Sequence, residues 1–203
     1  MEQISLKELF ETIMKNSKVT SFVEYKEINK YKDRVIYLED VDEESCKEIF
    51  NLILEYNKQD SEISIENRKP IQLFINSCGG NMTDAYALID TILMSKTPVH
   101  TVGVGVCYSA GGLILIAGHK RFMYPLGSFM FHEGSAGVFG DAGKVKDTMR
   151  FYETQLTQMK KFIMERTKID HELYEQKLAN DWYLTADECL KYGIIDQIST
   201  TLF

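Results

Sequence analysis

The sequence has no dense run of lysine or arginine, and its 23 basic residues are outnumbered by 30 acidic ones, for a net charge of −7. Phosphate backbones are bound by clustered positive charge, so a nucleic-acid partner is not expected. There is no CxxC pair either. The four cysteines, Cys46, Cys78, Cys107 and Cys189, lie far apart and suggest neither a zinc site nor a disulfide framework. No metal and no cofactor are expected, and a reducing cytoplasm is the expected location. No segment approaches the ~20 apolar residues of a membrane span, and the first eight residues lack a basic region leading into a long apolar run. Neither a membrane partner nor secretion is expected. Nucleotide motifs are also missing: Gly103-Val-Gly105 lacks the third glycine of GxGxxG, and no GxxxxGKS/T occurs. Repeats and low-complexity tracts are absent.

What is present is an ordinary globular composition, 44% hydrophobic and 26% charged, over 203 residues that one α/β core can bury. Residues 5 to 14 read as a short amphipathic helix with capping-box spacing at Ser5 and Glu8. Val35 to Leu38 reads as a strand, Asp42 to Tyr56 as a helix, and Asn57 to Lys69 as a polar loop. Ile71 to Ile75 is a second strand ending at Cys78-Gly79-Gly80, ahead of a helix over Thr83 to Met94. Pro98 breaks that helix before a third strand, Val99 to Val106, and a further strand-to-helix junction at Ser109. Strands alternating with helices predict a largely parallel sheet covered on both faces. Phe122-Met123 and Phe129 to Phe131 are short strands around the Pro125-Leu126-Gly127 turn.

The longest helical signal runs from Ala142 to Lys168, where Val145, Met149, Tyr152, Leu156, Met159 and Ile163 recur at alternating spacings of four and three. Such a stripe faces either the domain core or another subunit, and periodicity does not choose. Trp182 to Leu184 then reads as a strand. Thr185 and Glu188 have capping-box spacing before a helix closed by Gly193, and Ile194, Ile195 and Ile198 supply a last apolar strand.

Chemistry is expected at the carboxyl edge of such a sheet, where both glycine-rich turns expose backbone N–H groups. Ser109, between a strand and a small-residue helix, has two readings on position alone. It is an N-cap, or it is a nucleophile aided by the positive helix end, with the Ala110 N–H facing a developing oxyanion. A serine nucleophile requires a base. Of the four histidines, His171 opens a charged helix, His119 precedes Lys120-Arg121, and His100 lies within a buried strand. His132 ends a strand beside a flexible loop, and its position leaves structural and catalytic roles open. A carboxylate should orient the imidazole. Asp181 directly precedes a strand, Asp187 reads as a first-turn helix residue and Asp196 as a strand-end charge, and spacing does not choose among them.

Taken together, Arg34-Val-Ile-Tyr-Leu38, Ile75-Asn-Ser-Cys-Gly-Gly80, Tyr108-Ser-Ala-Gly111, Phe129-Met-Phe-His132, Asn180-Asp-Trp-Tyr-Leu-Thr-Ala186 and Tyr192-Gly-Ile-Ile-Asp196 resemble the Clp protease proteolytic-subunit family over roughly residues 24 to 198. The order serine, histidine, aspartate differs from those of the α/β-hydrolase, chymotrypsin and subtilisin families. The resemblance implies an α/β fold, a ClpP/crotonase-like spiral of ββα units with a protruding handle of strand plus long helix at about 133–168. It implies a peptidase domain over 24–203 and a divergent segment over 1–23. By position Ser109 corresponds to the nucleophile, His132 to the base and then acid, Asp181 to the orienting carboxylate, and Gly80 and Ala110 to the oxyanion hole. Substrate is expected as an added strand between Gly80, Asn81 and Met82 on one side and Gly134, Ser135 and Ala136 on the other.

The implied activity is ATP-independent serine-type endopeptidase cleavage of unfolded proteins or peptides inside an oligomeric chamber. The implied partners are copies of the chain in two stacked heptameric rings, and an AAA+ unfoldase. Residues 1 to 23 do not match the family's axial loops, which keeps a phage- or plasmid-type processing peptidase without an unfoldase as an alternative. A noncatalytic ring protein, or a crotonase-like binder of acyl thioesters, is a second alternative on a related fold. The family usually has proline where Cys78 and Gly134 stand, and both replacements loosen turns beside the site.

Overall fold

The structure is a computed structural model, described for residues 31–134, 137–178 and 180–201. The helix expected over residues 5 to 14 lies outside the described residues, as do Ser135 and Ala136. The chain divides into two units, Met1–Val35 and Ile36–Phe203, and the account below concerns the second.

The strands are β1 (Val35–Leu38), β2 (Ile71–Ser77), β3 (Val99–Tyr108), β4 (Lys120–Met123), β5 (Ser128–Phe131), β6 (Trp182–Thr185) and β7 (Gln197–Ile198). The helices are α1 (Glu43–Gln59), α2 (Met82–Met94), α3 (Ala110–Ala117), α4 (Ala142–Arg166), α5 (His171–Leu178) and α6 (Ala186–Lys191). The sheet runs β1-β2-β3-β4-β7, with β5 joined to β3 and β6 to β5. The pairs β2–β3, β3–β4, β3–β5 and β4–β7 are parallel, and β5–β6 is antiparallel. The fold is thus the expected α/β arrangement with a mostly parallel sheet.

One irregularity shapes the site. Ile75 pairs with Gly103 but Ser77 pairs with Cys107, so β3 carries a bulge. The Asn76 side chain fills it, its Oδ1 accepting from the Val106 N–H at 3.0 Å. A Cβ on Gly105 would lie 2.3 Å from that oxygen, so only glycine admits the asparagine. The bulge re-aims the strand: β3 pairs with β4 over His100–Gly103, and then with β5 over Val106–Tyr108.

Helix α3, apolar all round, has all eight residues buried and packs on β3 and α2. A helix with no polar face can only be a core helix. Helix α1 buries one face, Cys46, Ile49, Ile53 and Tyr56, and packs on α2. Its cap is Asp42, which accepts from the Ser45 N–H at 2.8 Å.

The structure departs from the sequence expectations in two places. Helix α1 continues to Gln59 through residues expected in a loop, and a 3-10 turn follows at Ile65–Asn67. Polar character misleads here because the side chains are anchors. The Asn57 Oδ1 accepts from the Lys96 and Thr97 N–H groups, and the buried Asp60 carboxylate accepts from the Thr97 hydroxyl at 2.9 Å. At the other end, Ile194 and Ile195 are buried in the turn after α6 rather than in a strand, with their N–H groups donated to Cys189 O. The capping box of Thr185 and Glu188 is present as expected, and Gly193 follows the helix at φ 67°.

The stripe on α4 has two environments. Met159 and Ile163 are buried, Tyr152 and Leu156 half-buried, and Met149 exposed. At its base, Arg166 donates to the carbonyls of Ile116, Ala117 and Gly118, satisfying the C-terminal end of α3. Arg121 secures the same corner. It donates to Arg166 O and Gly193 O and pairs with Asp196 at 2.5 Å.

Candidate active site

Strand register decides which side chains meet. Tyr108, the last residue of β3, lies opposite Met130 of the parallel strand β5, so Ser109 and His132 leave adjacent carboxyl ends. Phe131 lies opposite Trp182, the first residue of antiparallel β6, which puts Asp181 beside His132. The Ser109 N–H donates to Met130 O at 2.9 Å, locking the junction. The Tyr108 and Ser128 hydroxyls, 2.9 Å apart, brace it from behind.

The His132 Nε2 is 2.7 Å from the Ser109 Oγ, a hydrogen bond in which the neutral ring accepts the hydroxyl proton when Nε2 is the unprotonated nitrogen. The Asp181 Oδ1 lies 3.6 Å from His132 Nδ1, an ion-pair distance longer than a hydrogen bond. Its side chain is 53% exposed and that of His132 32%.

Ser109 occupies the N-cap position of α3 but makes no side-chain capping bond. Its φ is 52° and ψ −125°. A non-glycine residue there is strained by about 1–3 kcal/mol, and the strain turns the hydroxyl outward at a sharp strand-to-helix corner. The Ser109 hydroxyl thus faces His132 and not the first backbone N–H groups of α3.

The Gly79-Gly80 turn abuts this corner. A Cβ on Gly79 would sit 2.9 Å from Ser109 Cβ and 3.2 Å from Ala110 N. Gly80, at φ 152°, is clamped on the other side, since the Asn81 N–H donates to Val41 O at 2.7 Å and Val41 N–H to Gly79 O at 3.3 Å. Asn81 then caps α2, its Oδ1 accepting from the Thr83 and Asp84 N–H groups.

A cleft of about 540 Å³ opens over the serine, and Gly80, Asn81, Met82, Ser109, His132 and Gly134 all line it. Ala110 is buried directly behind the serine. Sequence reasoning missed the other wall. Tyr86 and Leu113 line the cleft from α2 and α3, and Tyr152, Leu156 and Met159 from α4. These last three belong to the stripe assigned to core or subunit packing, and their spacing gives no sign that a cleft runs beneath them. The Tyr152 hydroxyl donates to Glu133 O at 3.1 Å, tying the helix to the segment after His132. Burial raises the Tyr86 phenol above its ordinary value.

The remaining candidates are elsewhere. His100 sits half-buried in β3, and burial, with the charges of Lys120 and His119, lowers its pKa. His119 is more tied down than its neighbours Lys120-Arg121 suggest. Its Nδ1 accepts from the Val99 N–H at 3.0 Å, and burial lowers its pKa. His171 opens α5 and contacts Lys160. Asp187 lies in the first turn of α6, and Asp196 is occupied by Arg121. Among the described residues no cluster of three His, Cys, Asp or Glu side chains is placed to hold a metal, and no helix is long and apolar enough to cross a membrane.

A hydroxyl paired with an imidazole at the mouth of a cleft is the equipment of nucleophilic acyl transfer. The sequence of residues 18–201 matches the Clp protease family. That match spans nearly the whole chain, so the chain belongs to the Clp protease family, a family of serine-type endopeptidases.

Proposed function

We propose that this chain hydrolyses peptide bonds with Ser109 as nucleophile, His132 as general base and then acid, and Asp181 as the carboxylate that orients the imidazole. The observation that carries the reading is the 2.7 Å contact between His132 Nε2 and Ser109 Oγ, made by a serine held at positive φ. The Ser109 Oγ attacks the scissile carbonyl as His132 takes its proton, and the imidazolium is stabilised by Asp181. The Gly80 and Ala110 N–H groups receive the oxyanion. His132 then protonates the departing amine, and water, activated by the same ring, releases the acyl group from Ser109.

Substrate adds as an extended strand between Gly80, Asn81 and Met82 and Gly134, Ser135 and Ala136, where backbone hydrogen bonds hold it regardless of sequence. Residues 24–203 form the peptidase domain, with the handle at about 133–168, after a divergent N-terminal segment over residues 1–23. Clp proteases form oligomeric rings. The open half of the α4 stripe, with Met149 exposed and Phe151 exposed beside it, supports two stacked heptameric rings joined through the handle. The enclosed chamber admits unfolded chains in the cytoplasm, and an AAA+ unfoldase is the partner that feeds it folded ones.

Ser109→Ala should abolish turnover of a fluorogenic peptide, and a fluorophosphonate should label Ser109 alone. Labelling at another residue overturns the assignment. Sedimentation and electron microscopy test the double ring, and a stable monomer refutes it.

A further inference from the structure

Ser77, the last residue of β2, is 1% exposed and does not line the cleft. Its hydroxyl oxygen accepts from the Gly79 N–H at 3.1 Å. Among the described residues that N–H has no other acceptor. A Cβ on Gly111 would meet the Ser77 Cβ at 2.9 Å and the Oγ at 3.2 Å, so the same side chain lies against the first turn of α3. One buried hydroxyl thus touches two backbone segments at once: the Gly79-Gly80 turn and the start of the helix that carries the Ala110 N–H.

The turn needs such a restraint. Gly79 and Gly80 stand at φ 104° and 152°, a region in which glycine rotates at little cost. The peptide between them is held from outside, its Gly79 oxygen accepting from the Val41 N–H at a long 3.3 Å. In a planar trans peptide the N–H lies opposite the C=O, so the Gly80 N–H is directed away from Val41. With its N–H fixed on Ser77 and its C=O on Val41, Gly79 has both of its dihedrals set. Without the Ser77 oxygen that peptide is free to turn, and a turned peptide presents a carbonyl dipole where a developing oxyanion requires a donor.

We propose that Ser77 is a positioning residue for the oxyanion turn, its hydroxyl oxygen fixing Gly79 so that the Gly80 N–H is presented to the transition state. The inference rests on the proposed serine-peptidase reading and deepens it, since Ser77 touches neither substrate nor the reacting atoms. A buried turn serine with no part in catalysis contributes to stability alone. The two roles separate in the kinetics, because orienting an oxyanion donor acts on the transition state and leaves ground-state binding in place.

Ser77→Ala should lower kcat for a fluorogenic peptide by about ten- to a hundredfold, less than the roughly 10²–10³-fold of losing a donor outright, with KM within about twofold. The Ki of a peptidyl trifluoromethyl ketone, whose adduct with Ser109 carries an oxyanion, should rise by about the factor by which kcat/KM falls. Ser77→Cys, with only a weak acceptor in place of the oxygen, should lie between. The stability control is Thr101→Val, which removes a buried hydroxyl bonded to Leu115 O at 2.7 Å outside the cleft. Both Thr101→Val and Ser77→Ala should lower Tm by about 2–4 °C, but Thr101→Val should keep kcat within about twofold. A Ser77→Ala protein with kcat and Ki within about threefold of wild type overturns the inference, and so does a rise in KM at unchanged kcat. If Ser77→Ala does not fold, Ser77→Cys decides, and wild-type kcat and Ki there overturn it. Turnover retained by Ser109→Ala removes the serine-peptidase reading and this inference together, whereas an inactive Ser109→Ala beside a fully active Ser77→Ala removes the role of Ser77 alone.

Discussion

Replacing Gly80 by alanine tests the oxyanion role proposed for the Gly79-Gly80 turn separately from the rest of the site. The new Cβ would lie 2.1 Å from Val41 O, and φ is 152°, where L side chains are strained. Real Cβ atoms do not approach closer than 3.0 Å, so the turn must retreat by about 1 Å. The clamp on Val41 resists that movement, because Asn81 N–H and Gly79 O are both bonded to it. The shift is therefore shared with Gly79, which touches the Ser109 corner. A 1 Å misplacement costs about 10²-fold in rate, and loss of one oxyanion donor about 10²–10³-fold. The expected fall in kcat/KM for a fluorogenic peptide is thus at least about 10²-fold. Strain of about 1–3 kcal/mol should lower Tm by roughly 3–10 °C. Gly143→Ala, on the exposed first turn of α4 with its nearest neighbour at 3.5 Å, is the control and should leave Tm within about 2 °C. A Gly80→Ala protein that keeps kcat/KM within about threefold of wild type would refute the reasoning, because the turn would then have no part in stabilising the transition state.

If Asp181 orients the imidazole as proposed, Asp181→Asn should lower kcat by about 10²–10⁴-fold with little change in KM; kcat within about threefold of wild type would mean that another group orients His132. Cys78 alone should react with Ellman's reagent in the native protein. Cys46, Cys107 and Cys189 are buried, and burial pushes their thiols up, to about 11 for Cys46 and about 12 for Cys189; a second native-state thiol would contradict this. The Arg121–Asp196 pair should show in the acid limb of stability. Burial alone would raise the Asp196 carboxyl, but hydrogen bonds from the Arg121 side chain and backbone, with the charges of Arg121 and Arg166, outweigh it and hold the pKa below 3.8. The unfolded chain therefore takes the proton first as pH falls. The contribution, about 1 kcal/mol after screening of a carboxylate 43% exposed, is complete above about pH 5 and is lost as pH drops through the folded-state pKa. The Tm gap between wild type and Asp196→Asn should narrow below pH 4; a gap that does not change with pH refutes it.

Local chemistry is written plainly in this chain. Apolar runs ending in glycine turns mark β2 and β3, capping residues mark α6, and an all-apolar octet marks α3. The segment Asn57 to Lys69 failed because polarity reads as solvent exposure. Asn57 and Asp60 instead spend their hydrogen bonds on the α2–β3 turn 37 to 40 residues away. Ile194 and Ile195 misled for the opposite reason, since burial of an apolar residue does not require a strand.

By itself the sequence offered candidates, a serine opening a helix, a histidine closing a strand and three aspartates, and the resemblance of its motifs to a family, rather than spacing, singled out Ser109, His132 and Asp181. Only the tertiary structure decided that they meet. The parallel pairing of Tyr108 with Met130 and the antiparallel pairing of Phe131 with Trp182 bring positions 109, 132 and 181 to one edge. The bulge filled by Asn76 aims β3 at that edge. The cleft wall from α4 was likewise illegible, because an apolar stripe has the same period whether it packs on a core, a second subunit or a bound peptide.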